Sequence, residues 1–148
     1  DIIDVARLGV VVFSNEKGSG RLPEYWGTAP WGVMKTSYTG ASTGHTVAQA
    51  PVVNGDVLGN LVTLTVPLVT GTSNATTFTI TGMPTELRPA ADRDLVGRVQ
   101  DNTSSFVAGL VRIKTTGVIE VYATLSGGAF TSSGTKALGA LSVSYPLA

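Results

Sequence analysis

The chain has 148 residues, of which 43% are hydrophobic and only 14% charged, and its formal net charge is zero. That length predicts one domain, or one domain with a small appendage, large enough to bury a core without metals or disulfides. The ten basic residues are scattered without a run, which argues against a phosphate-tracking surface, and the absence of cysteine excludes disulfides and thiolate metal sites.

The charge fraction lies well below the roughly 25% of an ordinary soluble domain. Either part of the surface is buried against other subunits, or Ser and Thr hydroxyls stand where other proteins place charges. Composition leaves both open. A cysteine-free chain fits assembly in a reducing cytoplasm. The longest apolar stretches, Leu8–Phe13 and Leu61–Val69, are far too short to span a bilayer. Neither nucleic acid nor membrane insertion is therefore expected. No signal peptide is recognisable, and a start at Asp1 without Met predicts a fragment or processed product of something longer.

Residues 1–50 read as irregular. Val10–Phe13 is a short strand, ended by the polar turn Ser14–Gly20. Leu22–Gly32 is a loop punctuated by Pro and Gly that holds Tyr25 and both tryptophans, Trp26 and Trp31. Gly32–Thr39 is a strand and Gly40–Gly44 a turn. Thr46–Ala50 has the composition of a helix, but Pro51 stops it.

From Val52 onward the pattern is regular. Val62, Leu64, Val66 and Leu68 alternate with Thr63, Thr65 and Pro67, which gives one apolar face. Gly71–Asn74 reads as a turn, and Phe78 and Ile80 share the next inward face. Pro84 and Pro89 bound a short extended crossover, because residues before proline favour extended geometry. Leu95–Gln100 is a strand, and Asp101-Asn102 begins a loop. Val107, Val111 and Ile113 line one face of the following strand. Lys114–Gly117 reads as a hairpin loop with Gly117 left-handed. The return strand points Ile119, Val121, Ala123 and Leu125 inward, and Glu120, Tyr122 and Thr124 outward. Leu141, Val143 and Tyr145 alternate with Ser142 and Ser144 in the last strand. Short strands at even spacing mean a sandwich or barrel. No helix beyond about three turns is expected.

Four pieces in order carry a family resemblance. A strand runs into Gly82-Met83-Pro84 and Leu87-Arg88-Pro89. The hairpin Val111–Ile119 follows, then the Gly/Phe/Thr loop Gly127–Lys136, and the chain closes on Val143-Ser144-Tyr145-Pro146-Leu147. Thr77–Ala148, about half the chain, resembles the C-terminal β-sandwich modules at the tips of bacteriophage tail fibres and receptor-binding proteins. The resemblance implies a jelly-roll-like protomer in a homotrimer, placed distally on the virion and binding host-surface polysaccharide. A three-fold interface would cover outward apolar groups such as Val118 and Tyr122. The family has no fixed binding motif, so no residue is carried over from it.

Catalytic readings are weaker. Gly40-Ala41-Ser42-Thr43-Gly44 matches G-x-S-x-G, and His45, the single histidine, follows it. A nucleophile elbow needs a buried strand before the serine, a helix after it and a histidine distant in sequence. A turn of small residues explains the match better. One histidine and no cysteine exclude His/Cys metal sites. Asp92 and Asp94 could share a strand face, but surface polarity is the simpler account. Asn74-Ala75-Thr76 and Asn102-Thr103-Ser104 fit the glycosylation pattern, which carries no weight for a protein made in bacteria.

Tyr25, Trp26 and Trp31 are the candidate ligand contacts, since aromatic faces stack on sugar rings; the alternative is that the tryptophans anchor an irregular segment. Arg93, Asp101 and Asn102 near strand ends could bond sugar hydroxyls, or be ordinary loop residues. No catalytic residue, metal or cofactor is assigned. The sequence thus reads as an all-β, jelly-roll-like sandwich, with residues 1–50 as an irregular shoulder or neck and residues 51–148 as the tip domain. Its expected role is non-enzymatic attachment of a phage to cell-envelope polysaccharide, as a homotrimer assembled in the host cytoplasm and joined to other tail proteins upstream. The alternatives are a structural tail or baseplate protein without a receptor site, and the trimerisation or carbohydrate-binding domain of a tailspike depolymerase.

Overall fold

A computed structural model describes residues 34–148. The expected strand Val10–Phe13 and the loop with Tyr25, Trp26 and Trp31 lie outside the described residues. Within them the chain forms eleven strands: β1 Met34–Thr39, β2 Ala41–Ser42, β3 Val52–Leu58, β4 Leu61–Val66, β5 Val69–Thr72, β6 Thr79–Thr81, β7 Arg93–Gln100, β8 Val107–Ile113, β9 Ile119–Val121, β10 Thr135–Leu138 and β11 Leu141–Pro146. The one helical element among the described residues is a 3-10 turn of three residues, Thr85–Leu87. The all-β expectation is what the fold shows.

The strands make two sheets. One has the order β1-β3-β4-β11, the other β2-β6-β9-β8-β7-β10-β5. Alternation explains how they stack. Val53 and Val57 of β3, Val62, Leu64 and Val66 of β4, and Tyr145 of β11 point inward from the first sheet. Ile80, Val99, Val111, Ile113, Ile119, Val121 and Leu138 meet them from the second. This is a β-sandwich whose core lies between the sheets. Each buried aliphatic side chain contributes on the order of 1.5–3 kcal/mol through area removed from water.

The chain departs from the expected pattern where it changes sheet. β4 belongs to the four-stranded sheet and β5 to the seven-stranded one. Pro67 lacks the N–H that would continue the ladder, and the phase shifts at that crossing. Leu68, expected inward, is therefore 55% exposed, and Val69 is buried in its place. Gly71 and Thr72, expected in a turn, continue β5, and Ser73 bridges to His45. Leu125, also expected inward, is exposed because the chain reverses there: Gly127 N donates to the Thr124 carbonyl and Ala123 N to the Gly128 carbonyl. Val107 opens β8 at the rim and is half exposed.

A further difference lies before Pro51. Ala41-Ser42 of the expected turn pair with Thr81 and Ile80 of β6, while Thr46–Ala50 ahead of Pro51 forms no helix, as read. Strand β1 falls within the expected strand Gly32–Thr39 and adjoins β3, whereas β2 was hidden because its partner β6 lies far along the chain. Elsewhere the turn chemistry is as read. Gly117 has φ +88°, and Lys114 N donates to the Val118 carbonyl at 2.9 Å. Pro84 and Arg88, which precedes Pro89, are extended on either side of the 3-10 turn.

Candidate functional site

Three of the residues expected to bind ligand are described. Arg93 opens β7, opposite Ile113, and its Nε is enclosed without a hydrogen-bond partner among the described residues. Asp101 and Asn102 follow the other end of the same strand. Asp101 Oδ1 accepts from both the Thr131 N–H and its hydroxyl, each at 2.9 Å. Asn102, at φ 50°, accepts from the Ser133 hydroxyl at 3.4 Å. The fold brings Asp101 and Asn102 together as staples of the loop before β10, and sets Arg93 apart from them at the far end of β7.

The G-x-S-x-G match leads to a buried cluster. Ser42 and His45 are each 5% exposed, and Ser42 lies in a two-residue strand that no helix follows. His45 Nε2 faces the Lys136 carbonyl at 3.4 Å, which assigns the ring proton to Nε2 and makes Nδ1 an acceptor. The Ser42 hydroxyl then donates to Nδ1 at 3.2 Å, while its oxygen accepts from Gln49 N at 2.9 Å. His45 also meets Phe78 edge to face, 4.8 Å between centroids. Burial pushes the imidazole pKa below its usual value of 6.5; the bond to the Lys136 carbonyl opposes this and the Lys136 charge reinforces it.

Lys136 is fully buried beside this pair. Its Nζ donates to three main-chain carbonyls, Gly44 at 3.0 Å, Ala75 at 2.6 Å and Thr77 at 2.7 Å. The Phe130 ring lies 5.2 Å away and the Phe78 ring 5.9 Å. Burial lowers the amine pKa, and Asp101 pulls it back up. Three N–H groups matched to three carbonyls are the complement of an ammonium ion. Gly44 permits the approach: its φ is +86°, and a Cβ there would collide with the Thr77 carbonyl oxygen. The cluster ties together the segments after β2, after β5 and in β10, and it is closed to solvent.

Open chemistry lies on the outward faces. On the seven-stranded sheet, Arg112 donates bidentately to Asp94, at 2.6 and 2.7 Å, and holds that carboxyl below its usual range. Glu120 accepts from the Tyr122 hydroxyl at 2.9 Å and pairs with Lys114 at 3.3 Å. Asp92 instead accepts from Thr115 N. The two aspartates therefore serve separate partners. Beside the ion pairs Val96 is 65% exposed.

The outward face of the four-stranded sheet is organised in rows by its register. Asn54, Thr65 and Ser142 stand side by side on β3, β4 and β11; Asp56, Thr63 and Ser144 form the next row, and Leu58, Leu61 and Pro146 the third. Across the first two rows Thr65 and Ser142 hydroxyls lie 3.2 Å apart and those of Thr63 and Ser144 2.8 Å. Lys35 on β1 pairs with Asp56 at 3.3 Å. Lys35, Thr36, Ser37, Asn54, Asp56 and Thr65 line an open groove of about 620 Å³. Thr63, Thr65, Ser142 and Ser144 were legible in the sequence as an outward set. Asn54 and Asp56 were not, since Gly55 between them hides the alternation.

This two-sheet sandwich with one polar, grooved face defines the class of the molecule by architecture. No family model matches the chain, and no curated protein matches it. Among solved structures its fold is similar to the reovirus attachment protein sigma1, determined in complex with alpha-2,3-sialyllactose, with a TM-score of 0.52 and 14% sequence identity over 80% of this chain and 68% of that one. At such identity the likeness is one of fold.

Proposed function

We propose that the chain is a viral attachment module that binds a glycan on the host surface without modifying it. The observation that carries this reading is the shared fold with sigma1 over four-fifths of the chain. That neighbour is an attachment protein seen with a sialylated sugar. The finer assignment, to the tip of a bacteriophage tail fibre or baseplate, draws on the resemblance of Thr77–Ala148 to tail-fibre tips. The hydroxyl-rich, charge-poor surface supports a polar carbohydrate partner, and the same scarcity of charge supports a homotrimer. In this reading the protein sits on the virion, joined to other tail proteins upstream.

Adsorption of the labelled protein to a panel of bacterial hosts tests the role. Saturable binding to one host, abolished by competing envelope polysaccharide and leaving that polysaccharide intact, is the expected result. Absence of binding to every host supports the structural tail protein instead. Release of reducing sugar from that polysaccharide supports the depolymerase.

A further inference from the structure

We infer that the grooved face of the four-stranded sheet is the glycan site, and that it selects a neutral sugar with two adjacent free hydroxyls over an acidic one. This rests on the attachment reading above and adds to it a place and a ligand class.

The three rows suit the two-sided chemistry of a pyranose. Asp56 offers a carboxylate that accepts from two neighbouring hydroxyls at once. Lys35 and the exposed amide of Asn54 stand beside it and donate to the same hydroxyl oxygens. The Thr63–Ser144 and Thr65–Ser142 contacts fix neighbouring hydroxyls before a ligand arrives, which lowers the ordering cost of binding. Two residues further along the strands, roughly 7 Å away, Leu58 and Leu61 are 50% and 46% exposed. They form an apolar margin beside the groove for the C–H groups of an adjoining sugar unit. The polar rows and the apolar row lie on one outward surface, long enough for an oligosaccharide to cross.

Charge decides the class. Lys35 and Asp56 already neutralise each other, with side chains 72% and 49% exposed. A sugar carboxylate placed in the groove would face Asp56 and would have to draw Lys35 from it. A neutral diol uses both groups and leaves the pair intact. Discrimination thus comes from the repulsive element as well as the attractive ones.

The test is a glycan array carrying neutral hexose- and heptose-terminated oligosaccharides beside sialylated and uronate-containing ones, probed with the full chain and with Asp56→Ala and Asn54→Ala. The expected outcome is binding confined to neutral glycans, weakened about tenfold or more by each substitution, with melting temperatures like the wild type's. Glu120→Gln on the opposite sheet serves as a control and should bind normally. Hits restricted to acidic glycans, hits that both variants keep, or no hits at all would overturn the assignment. Host adsorption separates this failure from that of the broader role: cell binding that survives both substitutions removes the groove and leaves the attachment function, whereas a wild-type protein that binds no host removes both.

Discussion

Tyr145 donates its hydroxyl to the Leu87 carbonyl at 2.7 Å, and so ties the last strand of the four-stranded sheet to the crossover between β6 and β7 of the seven-stranded one. Both residues are buried, and burial raises the phenol pKa. Without the phenol the carbonyl would face the core unpaired among the described residues. Tyr145→Phe is expected to lower stability by about 1–2 kcal/mol, read as a shift of the urea midpoint with an unchanged slope. An unshifted midpoint would show that the bond contributes nothing.

Lys136→Met keeps the bulk of the lysine stem but leaves the Gly44, Ala75 and Thr77 carbonyls without their shared donor. A loss of about 3 kcal/mol or more is expected, together with faster amide exchange after β2 and β5. If exchange changes uniformly across the chain, the lysine does not hold those segments in particular.

The His45 imidazole titrates below 6.5 in the fold. Between that folded value and 6.5 the unfolded chain binds more protons than the native one. Stability from this group is therefore complete above about 6.5 and is lost as pH falls through that window. Denaturant midpoints at pH 7.5 and 5 should differ in that sense, and His45→Gln should flatten the difference. A pH dependence unchanged by the substitution would assign it to the carboxylates.

The proposed homotrimer makes a prediction about faces. If the four-stranded sheet meets the glycan, the outward face of the other sheet is the candidate subunit contact, and there Val96 is exposed beside the Asp94–Arg112 pair. Light scattering should give a trimer for the wild type and smaller species for Val96→Glu. A monomeric wild type at micromolar concentration would refute the trimer, and a trimeric Val96→Glu would exclude this face.

The sequence carried the local facts well. Alternation along Leu61–Val66 and Leu141–Pro146, and the left-handed Gly117, follow from chemistry within a few residues. What was hidden depends on partners far away. Nothing near Pro67 says that the chain changes sheets there, so the inward place passed unseen from Leu68 to Val69. The rows on the four-stranded sheet exist because Thr65 lies between Asn54 and Ser142, and Ser142 is more than seventy residues along the chain. Lys136 read as a loop-end cation, since its burial is set by three carbonyls from distant segments. The aromatic candidates Tyr25, Trp26 and Trp31 lie outside the described residues, and the fold does not bear on them.

The acceptors that hold Lys136 are main-chain carbonyls. Every amino acid supplies that oxygen, so the side chains at 75 and 77 can be exchanged without removing the anchor. Such a fastening is indifferent to the side chain at two of its three contacts. Only Gly44 is constrained in kind. The loops can drift in sequence there while their paths stay fixed.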